Sequence, residues 1–87
     1  MNSIDLLGQR LGTAALTTLV RLCPEMRTAN LSPARQEAAC AAMRAKSKDA
    51  IDELLSDAKA APWLAEVAFA SAVLTLANEG IRVLRAA

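Results

Sequence analysis

The sequence has no histidine and no tyrosine, and its only aromatic residues are Trp63 and Phe69. Without imidazole, no side chain is poised as a general base near neutral pH, and the commonest zinc ligand is missing. Cysteine is limited to Cys23 and Cys40. Their wide separation fits neither a C-x-x-C redox or metal site nor a secreted disulfide scaffold, so two reduced, buried thiols are expected. Long hydrophobic runs are scarce too. The longest charge-free stretches, Leu11–Val20 and Val67–Asn78, fall short of the roughly 20 residues of a membrane span. The N-terminal Met-Asn-Ser-Ile-Asp has an acid where a signal peptide would be basic, which predicts a cytoplasmic protein.

What remains is mostly alanine and leucine. Of 87 residues, 20 are Ala and 13 are Leu, and the hydrophobic share is 54%. This composition forms helices but supplies few bulky groups to fill a core. One domain over residues 1–87 is expected. At this length a core of small side chains is marginal, which predicts self-association as a homodimer.

The three prolines mark helix boundaries. Asn2 or Ser3 can cap a first helix over about residues 4–22, ended by Pro24. Its wheel gathers Ile4, Leu7, Leu11, Ala15, Leu19 and Leu22 on one side, with Gly8 and Gly12 beside them. Residues 24–31 read as a connection with room for a short helical turn, ended by Asn30. Ser32-Pro33 opens a second helix over about 33–60. There Cys40, Met43, Ser47, Ala50, Ile51, Leu54 and Ala58 form a narrow apolar stripe near heptad spacing. A third helix over about 63–85 places Trp63, Val67, Ala70, Val73, Leu74, Ala77, Ile81 and Leu84 on a broad arc that also admits Phe69 and Leu76. Gly80 is a weak point late in it. The resulting expectation is an all-α fold: two long antiparallel helices with the N-terminal helix packed across them, completed by a second copy.

Gly8-Gln9-Arg10-Leu11-Gly12 is a small-xxx-small pattern. It lacks the Gly-Lys-Ser/Thr ending of a phosphate loop, and its Gln and Arg do not suit a membrane dimer. It predicts a close helix–helix crossing at Gly8 and Gly12. Trp63, beside Pro62, is either an interface anchor or, as is commoner in an Ala-rich bundle, a lid on the core.

Charge is unevenly distributed although the net value is only +1. Residues 21–48 carry a basic excess and residues 49–66 an acidic one. Along the second helix this order, basic early and acidic late, opposes the helix macrodipole and calls for compensation from outside that helix. Two readings are open. In one, two copies of the helix pack antiparallel, setting Arg44, Lys46 and Lys48 against Asp52, Glu53 and Asp57. In the other, local pairs such as Lys48–Asp52 lace an ordinary solvated face.

The residues point to no catalytic group, no cofactor and no metal site. Asp49, Asp52 and Glu53 lie within a turn but lack an opposing cluster or the glycine turn of a calcium loop. A non-enzymatic protein-interaction module follows, an adaptor or an inhibitor that masks another protein's surface. In size and type such a chain matches small bacterial and phage accessory proteins, with no motif behind the likeness. The first alternative is a nucleic-acid-associated regulator using the basic stretch 35–48. Nucleic acid is disfavoured because that stretch has no interleaved aromatics and runs into an acidic turn. The second alternative is a membrane-surface helical protein.

Overall fold

The structure is a computed structural model that describes residues 3–27 and 31–86. Asn2 and Asn30, expected as a cap and a turn end, lie outside the described residues. The fold is all-α. Among the described residues there are three α-helices and no strand: α1 (Ser3–Leu22), α2 (Pro33–Ala60) and α3 (Ala65–Arg85). Single 3₁₀ turns precede α2 and α3, at Pro24–Arg27 and Pro62–Leu64.

Local chemistry explains the boundaries. The Ser32 side chain accepts a hydrogen bond from the Arg35 backbone N–H at 3.2 Å, and Pro33 stands where no N–H is needed. The third helix starts later than the expected Trp63. Ala61 offers no side-chain cap, so the free N–H groups close through a tighter turn, in which Leu64 donates to the Ala61 carbonyl at 2.8 Å. Thr17, Thr18 and Thr75 are accommodated inside helices because each hydroxyl donates to the carbonyl four residues earlier.

The long hairpin α2–α3 is antiparallel. Arg35 reaches the Ala86 carbonyl at 3.2 Å, Met43 packs on Gly80, and Ala50 and Leu54 share a seam with Ala68 and Ala72. α1 runs antiparallel to α2, with Gly8 level with Ile51. It runs parallel to α3, with the Arg10 guanidinium 5.5 Å above the Phe69 ring and Leu19 beside Gly80. α1 packs more extensively on α3 than on α2.

The core gathers Leu11, Ala15 and Leu19 from α1, Ala39, Met43, Ala50, Ile51 and Leu54 from α2, and Ala68, Ala72, Val73, Leu76, Ala77 and Leu84 from α3, with Cys23 at the end of α1. No polar or charged side chain is buried among the described residues. The expected faces need two corrections. On α1, Ile4 and Leu22 are exposed. Distance from the neighbouring helices is not the cause, since Cys23, one residue past Leu22, is fully buried and Ile4 borders the same hollow as Ile51 of α2; the two side chains point outward. On α3 the buried face is turned by about 100° from the expected arc. Ala68, Ala72 and Gly80 face α2, where small side chains let the two backbones come close, and Trp63, Val67, Ala70 and Leu74 are left outside.

Candidate interaction surfaces

Three features stand out on the surface: an apolar groove, an apolar ridge and a separation of charge along the long axis.

The groove lies between α1 and α2. Gly8, Gly12 and Leu16 form one wall and Cys40, Arg44 and Ser47 the other, over a floor of Met43 and Leu76, enclosing about 360 Å³. It exists because the α1 wall lacks side chains where the two helices face each other. The expected close crossing at this glycine pair is therefore not made within the chain. A β-carbon on Gly8 would only touch Ile51 at 3.4 Å, and one on Gly12 would meet nothing within 4 Å. The close approach occurs at Gly80, where a β-carbon would stand 2.7 Å from Met43 Sδ and 3.2 Å from Leu19 Cδ2. At the rim of the groove Arg44 pairs with Glu37 at 2.6 Å, both side chains largely in solvent. That bond raises the guanidinium's already high pKa.

The ridge runs along the outer face of α3 and the turn before it. Trp63 is 82% exposed, Val67 63% and Leu74 49%, with exposed Ala70 between them. Their spacing alternates four and three, so they form one line on the helix. Trp63 does not cap the core. It stands on the outward line of α3 with Val67, Ala70 and Leu74, away from the side that meets α1 and α2. Pro62–Arg85 is also long and apolar enough, by length and composition alone, to cross a membrane, although its longest charge-free run is short. Core helices of soluble bundles meet the same criterion, and the inner face of this one is buried in the bundle.

The six charges expected to pair across two copies of α2 do not share one face. Arg44 lines the α1-side groove, Glu53 and Asp57 line the α2–α3 seam beside Ser71, and Lys46 is close enough to Glu79 to help hold its carboxyl low. Lys48 and Asp52 are both exposed and form no ion pair within 4.0 Å. The basic stretch 35–48 is similarly dispersed. Arg35 is bonded to the Ala86 carbonyl, Arg44 to Glu37, and Lys46 leans toward α3.

The charges divide along the bundle rather than around α2. The helix registers place the first turns of α1, the second half of α2 and the first half of α3 at one end. That end carries Asp5, Asp49, Asp52, Glu53, Asp57 and Glu66 against Arg10 and Lys59, a net of −4. The other end carries, among the described side chains, Arg21, Arg35, Arg44, Lys46, Lys48, Arg82 and Arg85 against Glu25, Glu37 and Glu79, a net of +4. The compensation that α2 requires is thus inside the fold. Its acidic half lies beside the N-termini of α1 and α3, whose partial positive charge favours carboxylates, and its basic half lies beside their C-termini.

Two further polar contacts close the basic end. Cys23 is fully buried and its thiol donates to the Glu25 carboxylate at 2.9 Å. Burial pushes the thiol pKa up, and the bond to Glu25 pushes it further. The same bond lowers the Glu25 pKa, with Arg85 3.9 Å away adding to the effect. On α3, Arg82 donates to Glu79 at 2.6 Å and holds that carboxyl low. Cys40 is a second free thiol, half-buried on the groove wall. Among the described residues no group of three or more His, Cys, Asp or Glu side chains could hold a metal ion. Comparison of the chain with known family models, curated proteins and solved structures finds no match.

Proposed function

We propose that this chain is a small, non-enzymatic interaction module that works by seating a helix of another protein in the α1–α2 groove, as an adaptor or an inhibitor. The observation that carries this reading is the apolar groove itself, left open by Gly8 and Gly12 and unfilled by any side chain of the bundle. From Gly8 to Leu16 it runs about 12 Å along α1, two helical turns at 1.5 Å per residue. A docking helix presents small or aliphatic residues three and four apart toward Gly8 and Gly12, a common mode of helix recognition. Arg44 on the rim favours a carboxylate on that helix.

A protein partner is supported over nucleic acid by the dispersal of the 35–48 cations among carboxylates and a carbonyl, which leaves no continuous basic stripe for a phosphate backbone. The membrane-surface reading draws on the apolar outer face of α3 and is tested directly by flotation with liposomes.

The test of the groove is a Gly12→Leu variant, whose side chain enters open space. Affinity capture from cells of the source organism, followed by calorimetry with the purified partner, is expected to show binding to the native chain. Binding to the variant should weaken at least about tenfold, with helicity unchanged, as buried hot-spot positions do. A partner that binds both chains equally removes the groove from the mechanism. Recovery of no partner, or flotation of the chain with liposomes, overturns the reading.

A further inference from the structure

We propose that the outer face of α3 is the contact between two copies of this chain, paired antiparallel about a two-fold axis at Leu74. This contact is separate from the α1–α2 groove and stands or falls independently of it.

The argument begins with the charge separation. A rod with −4 at one end and +4 at the other repels a parallel neighbour and attracts an antiparallel one lying alongside it. Side-by-side antiparallel pairing is isologous and closes at two copies. The line of charge reversal then has to coincide in both copies. On α2 the sign changes between Lys48 and Asp49. Because Met43 is level with Gly80 and Ala50 with Ala72, that point lies level with Leu74 on α3. Leu74 is half exposed and lies on the apolar ridge. The electrostatic midpoint and the unpartnered hydrophobic line therefore meet at one residue.

A two-fold axis there sets Leu74 against its own copy and Val67 opposite half-buried Ile81. Trp63 comes opposite the Arg85 guanidinium, a cation–π geometry. In such a pair each flank of α3 meets the same flank of the copy. The α2-side flank carries Arg82 near one end, and near the other it adjoins the seam lined by Glu53 and Asp57 beside Ser71. Arg82 and Arg85 of one copy thus approach Glu53 and Asp57 of the other. With Trp63 contributing about 200 Å² per copy, the ridge buries on the order of 1,000 Å² in total, the size of a weak, reversible complex.

Sedimentation velocity over a concentration series, at about 50 mM salt and again at about 500 mM, tests the pairing. The expected result is a dimer with a micromolar dissociation constant that weakens about tenfold at the higher salt. Leu74→Glu sets two like charges at the axis and should be monomeric throughout, with native helicity. The double variants Arg82→Glu/Arg85→Glu and Glu53→Lys/Asp57→Lys should each be monomeric alone. Mixed together they should form a heterodimer, since both symmetry-related contacts regain opposite charges. A monomer at high protein concentration and low salt overturns the proposal. So does a dimer that Leu74→Glu leaves intact, open-ended growth, or charge variants that fail to associate on mixing.

Discussion

Met43 Sδ occupies the space that a β-carbon on Gly80 would need: the two atoms would stand 2.7 Å apart. Here α2 and α3 come close, and Leu19 of α1 closes the contact from a third side at 3.2 Å. Gly80 gives up helix propensity and in return lets all three helices meet. Gly12 gives up the same propensity with no neighbour to accommodate.

The two glycines should therefore respond oppositely to alanine. Gly12→Ala is expected to raise stability by up to about 1 kcal/mol, the propensity difference at an exposed helix interior. Gly80→Ala gains the same term but must displace Met43 and Leu19, and overpacking of 1–3 kcal/mol outweighs it. A net loss of about 1 kcal/mol follows. Urea denaturation midpoints of the two variants, measured side by side, check the sign of each.

Leu11 and Leu19 are fully buried at the centre of the bundle, whereas Leu6 on the opposite side of α1 is about half exposed. Leu11→Ala or Leu19→Ala should each cost about 3 kcal/mol through lost transfer energy and the cavity left behind. In an 87-residue bundle that is a large share of total stability, so the thermal midpoint should fall by well over 10 °C, at about 4–8 °C per kcal/mol. Leu6→Ala should stay within about 0.5 kcal/mol of the native chain.

Stability should fall at both ends of the pH scale. The carboxyls of Glu25 and Glu79 are held low by hydrogen bonds from Cys23 and Arg82 respectively. Their contribution is complete above the ordinary carboxyl value of 4.5 and is lost as pH drops through their lower folded values. The thiol of Cys23 is raised by burial and by Glu25, so its contribution is complete below the ordinary value of 9.0 and is lost as pH climbs past it. Thermal midpoints across the pH range should form a plateau with an acid and an alkaline limb. Cys23→Ala should flatten the alkaline limb, and an unchanged limb would show that another group sets it.

The helices were legible in the sequence because their signals are local. Pro24, Pro33 and Pro62 each stand at an element boundary, and Ser32 caps as its hydroxyl and the following proline predict. The stripe on α2 was legible too, since Met43, Ala50, Ile51 and Leu54 are buried. The face of α3 was not. Weighing residues by size favours Trp63, Val67 and Leu74, but helix pairs also bury surface by coming close, which selects Ala68, Ala72 and Gly80. The signal was present in part as a row at four-residue spacing, Ala68, Ala72, Leu76 and Gly80, small at every position but Leu76, a spacing shared with Gly8 and Gly12. Pattern alone does not reveal which such row meets a neighbour, because that depends on where the third helix lies. Trp63 was misplaced for the same reason: it stands on the exposed line with Val67, Ala70 and Leu74, and which side of α3 faces outward is carried by no local motif. The charge separation along the bundle was half legible. The sign change within α2 can be read from the chain, but the matching ends of α1 and α3 join it only once their directions are known.

A molecule with opposite charge at its two ends does not tumble freely near a charged object. It experiences a torque and turns before it touches. Facing an anionic surface, this bundle would swing its Arg21, Arg82 and Arg85 end inward and hold the Trp63 end out toward solvent; facing a cationic one, it would reverse. Orientation is thus decided at a distance by the fold's polarity, and short-range contacts at the groove or ridge act on a molecule that has already been aimed.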